Sequence, residues 1–282
     1  MITHPEKVMF PDSGITKGEL AAYYELVAPI MVPHLAGRPV TLERFHNGIG
    51  EKGFFQKNVA KGAPDWLERV AVPKMDGVVN YAVVRDARGL MWLANQNCIT
   101  PHVWTSRVPT LFYPDLCMFD LDPLDDDPNV LRAATLLLRD LLAELGLTSW
   151  VKTSGSKGYH VVVALDGTAD CGHVARFAHA VGRALVRRDP DHLTQEFYKV
   201  DRGGRILIDT GRNEFGATYA ATYAVRPKPN APVSAPCTWE EIESGEAQPQ
   251  SFTLRTMAER LDARGDIWSR LFDEPHVLPA PP

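Results

Sequence analysis

SWVKTSGSKGYHVVVAL, residues 149–165, decides the fold. Two strand-like runs, SWVKTS (149–154) and YHVVVAL (159–165), are joined by the short turn GSKG. Antiparallel strands accept such a turn, whereas parallel strands need a crossover of a dozen residues or more. The sequence therefore predicts a mixed α/β (α+β) architecture with a largely antiparallel central sheet flanked by helices. A doubly wound parallel fold is excluded.

Upstream, PDLCMFDLDP (114–123) reads as another strand. Asp127-Pro128 then opens a strong helix, with proline at its first position. Its apolar stripe is Val130, Leu131, Ala134, Leu137, Leu138, Leu141, Leu142 and Leu145, and Gly146 ends it. Downstream come a helix at 172–188, a strand RILID (205–209), an extended ATYAATYAVR (217–226) and the Pro-rich PKPNAPVSAP (227–236). TWEEIESG starts a short helix, and a last helix covers about 253–264.

Toward the N-terminus, residues 16–32 read as a helix opened by a Thr16/Glu19 capping box. VTLERF (40–45) and VVNYAVV (78–84) read as strands, and GFFQKN (53–58) as a short aromatic strand or loop. PDWLERVAV (64–72) reads as a helical turn leading into extended chain, and GLMWLANQ (89–96) as a helix. The expected organisation is one domain over 1–282, with an N-terminal lobe at 1–110, a core at 111–236 and C-terminal helices and tail at 237–282.

Composition narrows the class. The chain is 45% hydrophobic and 23% charged, as ordinary globular proteins are. The four cysteines show no CxxC pairing, so neither a zinc ribbon nor a disulfide framework is indicated. No apolar run is long enough to span a bilayer, and the N-terminus lacks a secretory pattern, so the expected location is cytoplasmic with no membrane partner. A net charge of -5 does not favour nucleic acid, but the local face matters more than the total. DLDPLDDD supplies five of the carboxylates. From Arg44 to Lys61, Arg44, Lys52, Lys57 and Lys61 outnumber the single acid Glu51, which makes a modest basic patch.

The chemistry is carried by acids. Asp120 and Asp122 are two apart on a strand, so both project from one face while Phe119 and Leu121 enter the core. Side-by-side carboxylates repel unless something positive sits between them. Two divalent cations would resolve this, and an all-oxygen site favours Mg2+ or Mn2+. Asp209 ends RILID in the same manner, so three strand-borne carboxylates could hold two ions for phosphoryl chemistry. A DxD pair also occurs in aspartyl phosphatases of the haloacid-dehalogenase type, but there it follows the first strand. Here it comes late and is followed by Pro123-Leu124.

TSGSKGYH (153–160) is a Gly-flanked turn. Gly155 and Gly158 allow backbone amides to converge on an anion. Ser154, Ser156, Lys157 and His160 add donors suited to a triphosphate. It is not a P-loop, because a strand follows instead of a helix. Arg212 lies three residues past Asp209, Arg226 ends the next extended stretch, and His102 lies in TPHVW upstream of the DxD strand.

FDLDP, SGSKGYH and IDTGRN resemble, in order and spacing, the three catalytic motifs of archaeo-eukaryotic primases. The wider pattern is similar to the polymerase domain of bacterial DNA ligase D. It runs from HPEKVMFPDSGITKGEL through GFFQKN and TPHVW to GATYAATYAVRPKPNAPVSAPCTWEEI, nearly the whole chain. The resemblance implies a primase-like fold and a template-dependent DNA/RNA polymerase that adds ribo- or deoxyribonucleotides at gaps and broken DNA ends in non-homologous end joining. It implies Asp120, Asp122 and Asp209 as metal ligands. Ser154, Lys157, His160, Arg212 and Arg226 would hold the triphosphate of an NTP or dNTP, with His102 near its sugar. Phe54 and Phe55 would stack on the template, with Lys57 in the basic patch beside them. Lys7 and Lys17 match the family's 5′-phosphate pocket; Lys17 falls on the first turn of its helix, where free amides and the dipole favour an anion. The competing reading of Phe54 and Phe55 is core packing: adjacent strand residues face opposite sides, which would leave one of them buried. Ribonucleotides, Mn2+, the Ku end-binding protein and a ligase are the implied preferences and partners. One departure stands out: Thr210-Gly211 replaces bulkier residues after the aspartate, which is expected to loosen the turn carrying Arg212. Two further readings share these residues. One is a primase-polymerase that starts chains de novo; the other is a non-catalytic module that binds and aligns DNA ends.

Overall fold

Thr16 opens the first helix by a reciprocal cap: its hydroxyl accepts from the Glu19 amide, and the Glu19 carboxylate accepts from the Thr16 amide. The structure is a computed structural model and describes residues 2–124 and 127–282. β1 (Val8–Phe10) and β2 (Ile15–Thr16) pair as a small hairpin before α1 (Lys17–Leu35), which continues one turn past the expected end. Leu20, Tyr24, Val27 and Met31 form its buried stripe. Then come β3 (Pro39–Arg44), β4 (Phe54–Gln56), β5 (Glu68–Lys74), β6 (Gly77–Val83), α2 (Ala87–Asn95) and β7 (Cys98–Val103). The second half holds β8 (Leu116–Asp122), α3 (Pro128–Glu144), β9 (Trp150–Thr153), β10 (Tyr159–Ala164), α4 (Cys171–Arg188), β11 (Leu193–Thr194) and β12 (Ile206–Asp209). β13 (Tyr219–Ala220), β14 (Pro236–Cys237), α5 (Trp239–Ser244) and α6 (Met257–Arg264) follow.

The chain divides into two units by contact. The first comprises Met1–Pro109, Thr218–Ser234 and Phe252–Asp266. Its sheet runs β13-β7-β3-β6-β5, with β4 also on β3, and every pair is antiparallel. The second comprises Thr110–Ala217, Ala235–Ser251 and Ile267–Pro282. Its sheet runs β11-β12-β8-β10-β9-β14, antiparallel except for β11 with β12. The mixed, largely antiparallel architecture is thus built of two sheets, one in each unit. Contact boundaries fall at Pro109/Thr110 and Ser234/Ala235, close to 110 and 236, but the segments beyond 217 are shared out differently from a core at 111–236 and a tail at 237–282. Residues 218–234 join the first unit because Tyr219 and Ala220 pair with β7, and the expected C-terminal part at 237–282 is shared between both units.

β7 was not read as a strand. Most of it is buried on both faces, so it lacks the alternation that marks a half-buried strand. ATYAATYAVR is extended only in part: after β13, Tyr223 takes φ 66° and the chain turns.

In the second unit, Cys117, Phe119 and Leu121 of β8 and Val161 and Val163 of β10 are fully buried. α3 and α4 pack against each other and against these two strands. The turn between β9 and β10 lies close to β8: a Cβ on Gly158 would sit 1.7 Å from the carbonyl oxygen of Leu121, between the two DxD aspartates. Backbone cannot yield there as a flexible side chain would. Gly158→Ala is therefore expected to cost about 2 kcal/mol or more, by analogy with overpacked cores. Urea denaturation checks this, and an unchanged midpoint would contradict the close approach.

Candidate active site

The register of four neighbouring strands places Asp209, Asp120, His160 and Lys152 directly opposite one another in turn, across β12, β8, β10 and β9. Opposed residues in antiparallel strands share a face. The sheet thus presents a row of acid, acid, imidazole and ammonium. The two acids would repel if left alone. Arg212 lies against both, with Nη2 3.1 Å from Asp209 Oδ2 and Nε 3.6 Å from Asp120 Oδ2. On the other side, His160 Nε2 is 3.5 Å from Asp120 Oδ1, and its Nδ1 is 2.8 Å from Nζ of the fully buried Lys152.

Asp122 shares the face but has a different partner. Buried Arg202 donates to its Oδ2 at 3.0 Å and to the carbonyls of Glu196 and Phe197. The oxygens are of the hard type that Mg2+ and Mn2+ prefer, so the donor chemistry fits those ions. As arranged, guanidinium groups supply the positive charge. Among the described residues, no three metal-ligating side chains are gathered closely enough to hold an ion.

β12 stops at Asp209, opposite Asp120, and a side chain continues the ladder beyond it. Asn213 Oδ1 accepts from the Met118 amide at 2.8 Å, and its Nδ2 donates to the Met118 carbonyl at 2.7 Å. Nδ2 also donates to the Thr210 carbonyl, and the Gly211 amide donates to Asp209 Oδ1. The turn with Thr210-Gly211 is therefore closed by two side chains that also fix Arg212's position in the chain.

The GSKG turn uses its own amides. Ser154 Oγ accepts from the amides of Ser156 and Gly158, both at 3.1 Å. These are amides the sequence reading reserved for an outside anion. Lys157 is exposed, with Nζ 3.4 Å from the Leu124 carbonyl. His160 and Arg212 are the nucleotide-binding candidates brought to the acids.

The remaining candidates lie in the first unit. His102 Nε2 is 2.9 Å from Glu43 Oε2, and Phe55 meets the imidazole edge-on at 5.2 Å. Burial works against ionising Glu43. The hydrogen bond and charge of His102, the charge of Arg226 and a bond from Thr100 outweigh it and hold the carboxyl below its usual range. Phe54 and Phe55 are 40% and 60% exposed, so neither is a core residue and the core-packing reading does not hold. β4 pairs with β3, and each ring meets a polar neighbour: His46 and the Arg44 guanidinium at Phe54, His102 at Phe55. Lys57 is exposed next to them.

Lys7 donates to the His46 carbonyl, and buried Lys17 donates to the Asn95 carbonyl at 2.9 Å and also to Asn95 Oδ1 and Thr3. Burial, then the nearby charges of Lys7 and Arg44, lower the affinity of Lys17 for its proton. The amides that open α1 are not free: Lys17 N donates to Lys7 O, Gly18 N to Pro5 O and Glu19 N to Thr16 Oγ. Clustered charge, not vacant amides, is what this corner offers an anion.

Sequence reading missed Lys152, Arg202, Asn213 and Glu43. Lys152 was within reach, because registering the hairpin about GSKG sets it opposite His160. Arg202 and Glu43 carry no local signal.

In the second unit an opposed acid pair thus stands beside a Gly-rich hairpin on a largely antiparallel sheet, the arrangement the resemblance to primases led us to expect. The model of the family described as "LigD, primase-polymerase domain" matches residues 16–268, and the chain belongs to that family. It is 34% identical to the multifunctional non-homologous end joining protein LigD of Mycolicibacterium smegmatis, over 96% of this chain and 36% of that protein. It is 30% identical to the bifunctional LigD of Bacillus subtilis, over 97% of this chain and 45% of that protein. The chain thus spans less than half the length of these relatives. A solved structure, the polymerase domain from Mycobacterium tuberculosis Ligase D in complex with DNA, superposes with a TM-score of 0.91 at 32% identity, covering 98% of this chain and 99% of that one.

Asn213→Ala would leave the Met118 amide and carbonyl without their partner and is expected to cost about 2–4 kcal/mol in chemical denaturation; a neutral result would contradict the clamp. A carboxyl whose folded pKa lies below its unfolded one stabilises the fold above the unfolded value and loses that contribution as pH falls through the folded one. Glu43→Gln should therefore be less stable than the parent at neutral pH. The gap should close as pH drops below the usual glutamate value, and a gap constant with pH would refute the assignment.

Proposed function

We propose that the chain extends DNA strands by template-directed nucleotidyl transfer at gaps and broken ends during non-homologous end joining. The observation that supports this most is the opposed pair Asp120 and Asp209, with Asp122 on the same face, in a member of this family. The relatives' names tie them to end joining, and the structural neighbour was solved with DNA.

In this reading a primer 3′-hydroxyl attacks the α-phosphate of an NTP or dNTP. The new bond joins that oxygen to phosphorus, and the bond to pyrophosphate breaks. Asp120, Asp122 and Asp209 would hold Mn2+ or Mg2+, which when bound would acidify the attacking hydroxyl and neutralise the departing pyrophosphate. The chain's own groups then have distinct tasks. Arg212 balances the acid pair and is a bidentate donor suited to phosphate. Lys152 orients His160, whose Nε2 side faces Asp120. Lys157 contributes an exposed point charge at the turn. In the first unit, Phe54 and Phe55 offer faces on which template bases can stack without regard to sequence. Lys7 and Lys17 supply charge for a 5′-phosphate, Lys57 supplies charge for the backbone, and His102 and Arg226 are candidates for the nucleotide's sugar and phosphates. Ku and a ligase are the proposed partners.

The test is extension of a primer across a gapped duplex with Mn2+ and with Mg2+. Asp120→Ala should lower the rate at least ~10³-fold while leaving the fold intact by circular dichroism. Retained metal-dependent extension by that variant would overturn the mechanism.

A further inference from the structure

Helix α4 carries a one-sided charge in the second unit. Over Cys171–Arg188 it carries Arg176, Arg183, Arg187 and Arg188 and no aspartate or glutamate, on a chain whose net charge is -5. At 100° per residue, Arg176, Arg183 and Arg187 fall within a narrow arc of the helix. All three are exposed, and the opposite face, with Val174, Phe177, Val181 and Leu185, is core. Eleven residues separate the first arginine from the last, a stripe about 16 Å long at the helical rise.

The stripe is not spent on internal ion pairs. Arg188, off to one side, pairs with Glu144 at 3.0 Å. Among the described residues no carboxylate lies within ion-pair distance of Arg176, Arg183 or Arg187. Asp170, at the start of the helix, is engaged as its N-cap, accepting from the His173 amide at 2.7 Å. Arg176 and Arg183 also line a groove of about 470 Å³ with His173, His179 and Pro281 of the C-terminal tail.

Arg183 and Arg187, four apart, repel each other; the helix dipole offsets this for Arg187, in the last turn, and leaves Arg176 and Arg183 without such compensation. A regularly spaced polyanion supplies that compensation. Double-stranded DNA carries about one charge per 1.7 Å of axis, and its phosphates accept two hydrogen bonds from each guanidinium. We infer that the α4 stripe of Arg176, Arg183 and Arg187 is a contact for the phosphate backbone of duplex DNA, separate from the acid row and from the charged corner at Lys7 and Lys17. This rests on the reading of the chain as an enzyme of DNA ends.

The experiment measures binding of the chain to a fluorescent gapped duplex by anisotropy across a salt series. It compares the parent with the triple variants Arg176→Gln/Arg183→Gln/Arg187→Gln and Arg176→Lys/Arg183→Lys/Arg187→Lys. Three phosphate contacts are each worth about 0.9 in the slope of log affinity against log salt. The Gln variant should therefore lose about 2–3 from that slope and bind at least ~10-fold more weakly at low salt, while the Lys variant keeps most of the slope. The Gln variant should keep the parent's circular dichroism and its incorporation rate at saturating DNA, since none of the three residues touches the acid row. Equal slopes and affinities for parent and Gln variant would overturn the inference and turn attention to an acidic protein surface as the occupant. A parent that binds no duplex at any salt would instead sink the DNA reading itself, and this inference with it.

Discussion

Two carboxylates, Asp120 and Asp209, stand directly across from each other on adjacent strands, and much of the second unit's arrangement answers the repulsion between them. Donors approach them from both sides. Arg212 reaches back from the turn after β12, and His160 approaches along the row from β10, with Lys152 behind it. Each of these positions depends on a local device. Asn213 ends the β12 ladder and holds the Arg212 turn against β8. Gly158 lets the hairpin approach the Leu121 carbonyl. Ser154 closes the hairpin on its own amides. A face that gathers like charges is unstable by itself, and here Arg212 and the Lys152–His160 pair stand beside it.

The acid row was legible in the sequence because strand periodicity is simple. DLD in an apolar run sends both acids to one side, and the hairpin about GSKG fixes antiparallel pairing. The helices were legible for similar reasons: α1 by Thr16 and Glu19, α3 by Pro128 and its leucines. β7 was not, because Cys98 to Val103 is buried nearly throughout and shows no alternation. The joining of 218–234 to the first unit was not legible either. It rests on pairing with β7 and on bonds to the hydroxyls of Tyr23, Tyr24 and Thr100, all of them residues far earlier in the chain.

A shared error runs through the expected anion sites. Amides at the start of α1 and in the GSKG turn were read as vacant, since glycine and helix termini can present them to a ligand. In both places the protein satisfies several of them itself, through Lys7, Pro5 and Thr16 in one case and, for Ser156 and Gly158, through Ser154 in the other. Sequence shows where cations gather more readily than where donors remain open, because a donor's partner can come from anywhere in the chain. Glu43 illustrates the point: it draws His102 and Arg226 together, and nothing in VTLERF marks it for that role.

The family, the acid row and the surrounding cations all converge on whether these opposed acids form a seat for divalent ions. Manganese binding followed by electron paramagnetic resonance, in the presence of a nucleoside triphosphate, addresses this without requiring turnover. The account predicts that Asp209→Asn binds fewer ions than the parent, or binds them far more weakly, with the protein still folded. Equal stoichiometry and affinity in the two proteins would contradict it.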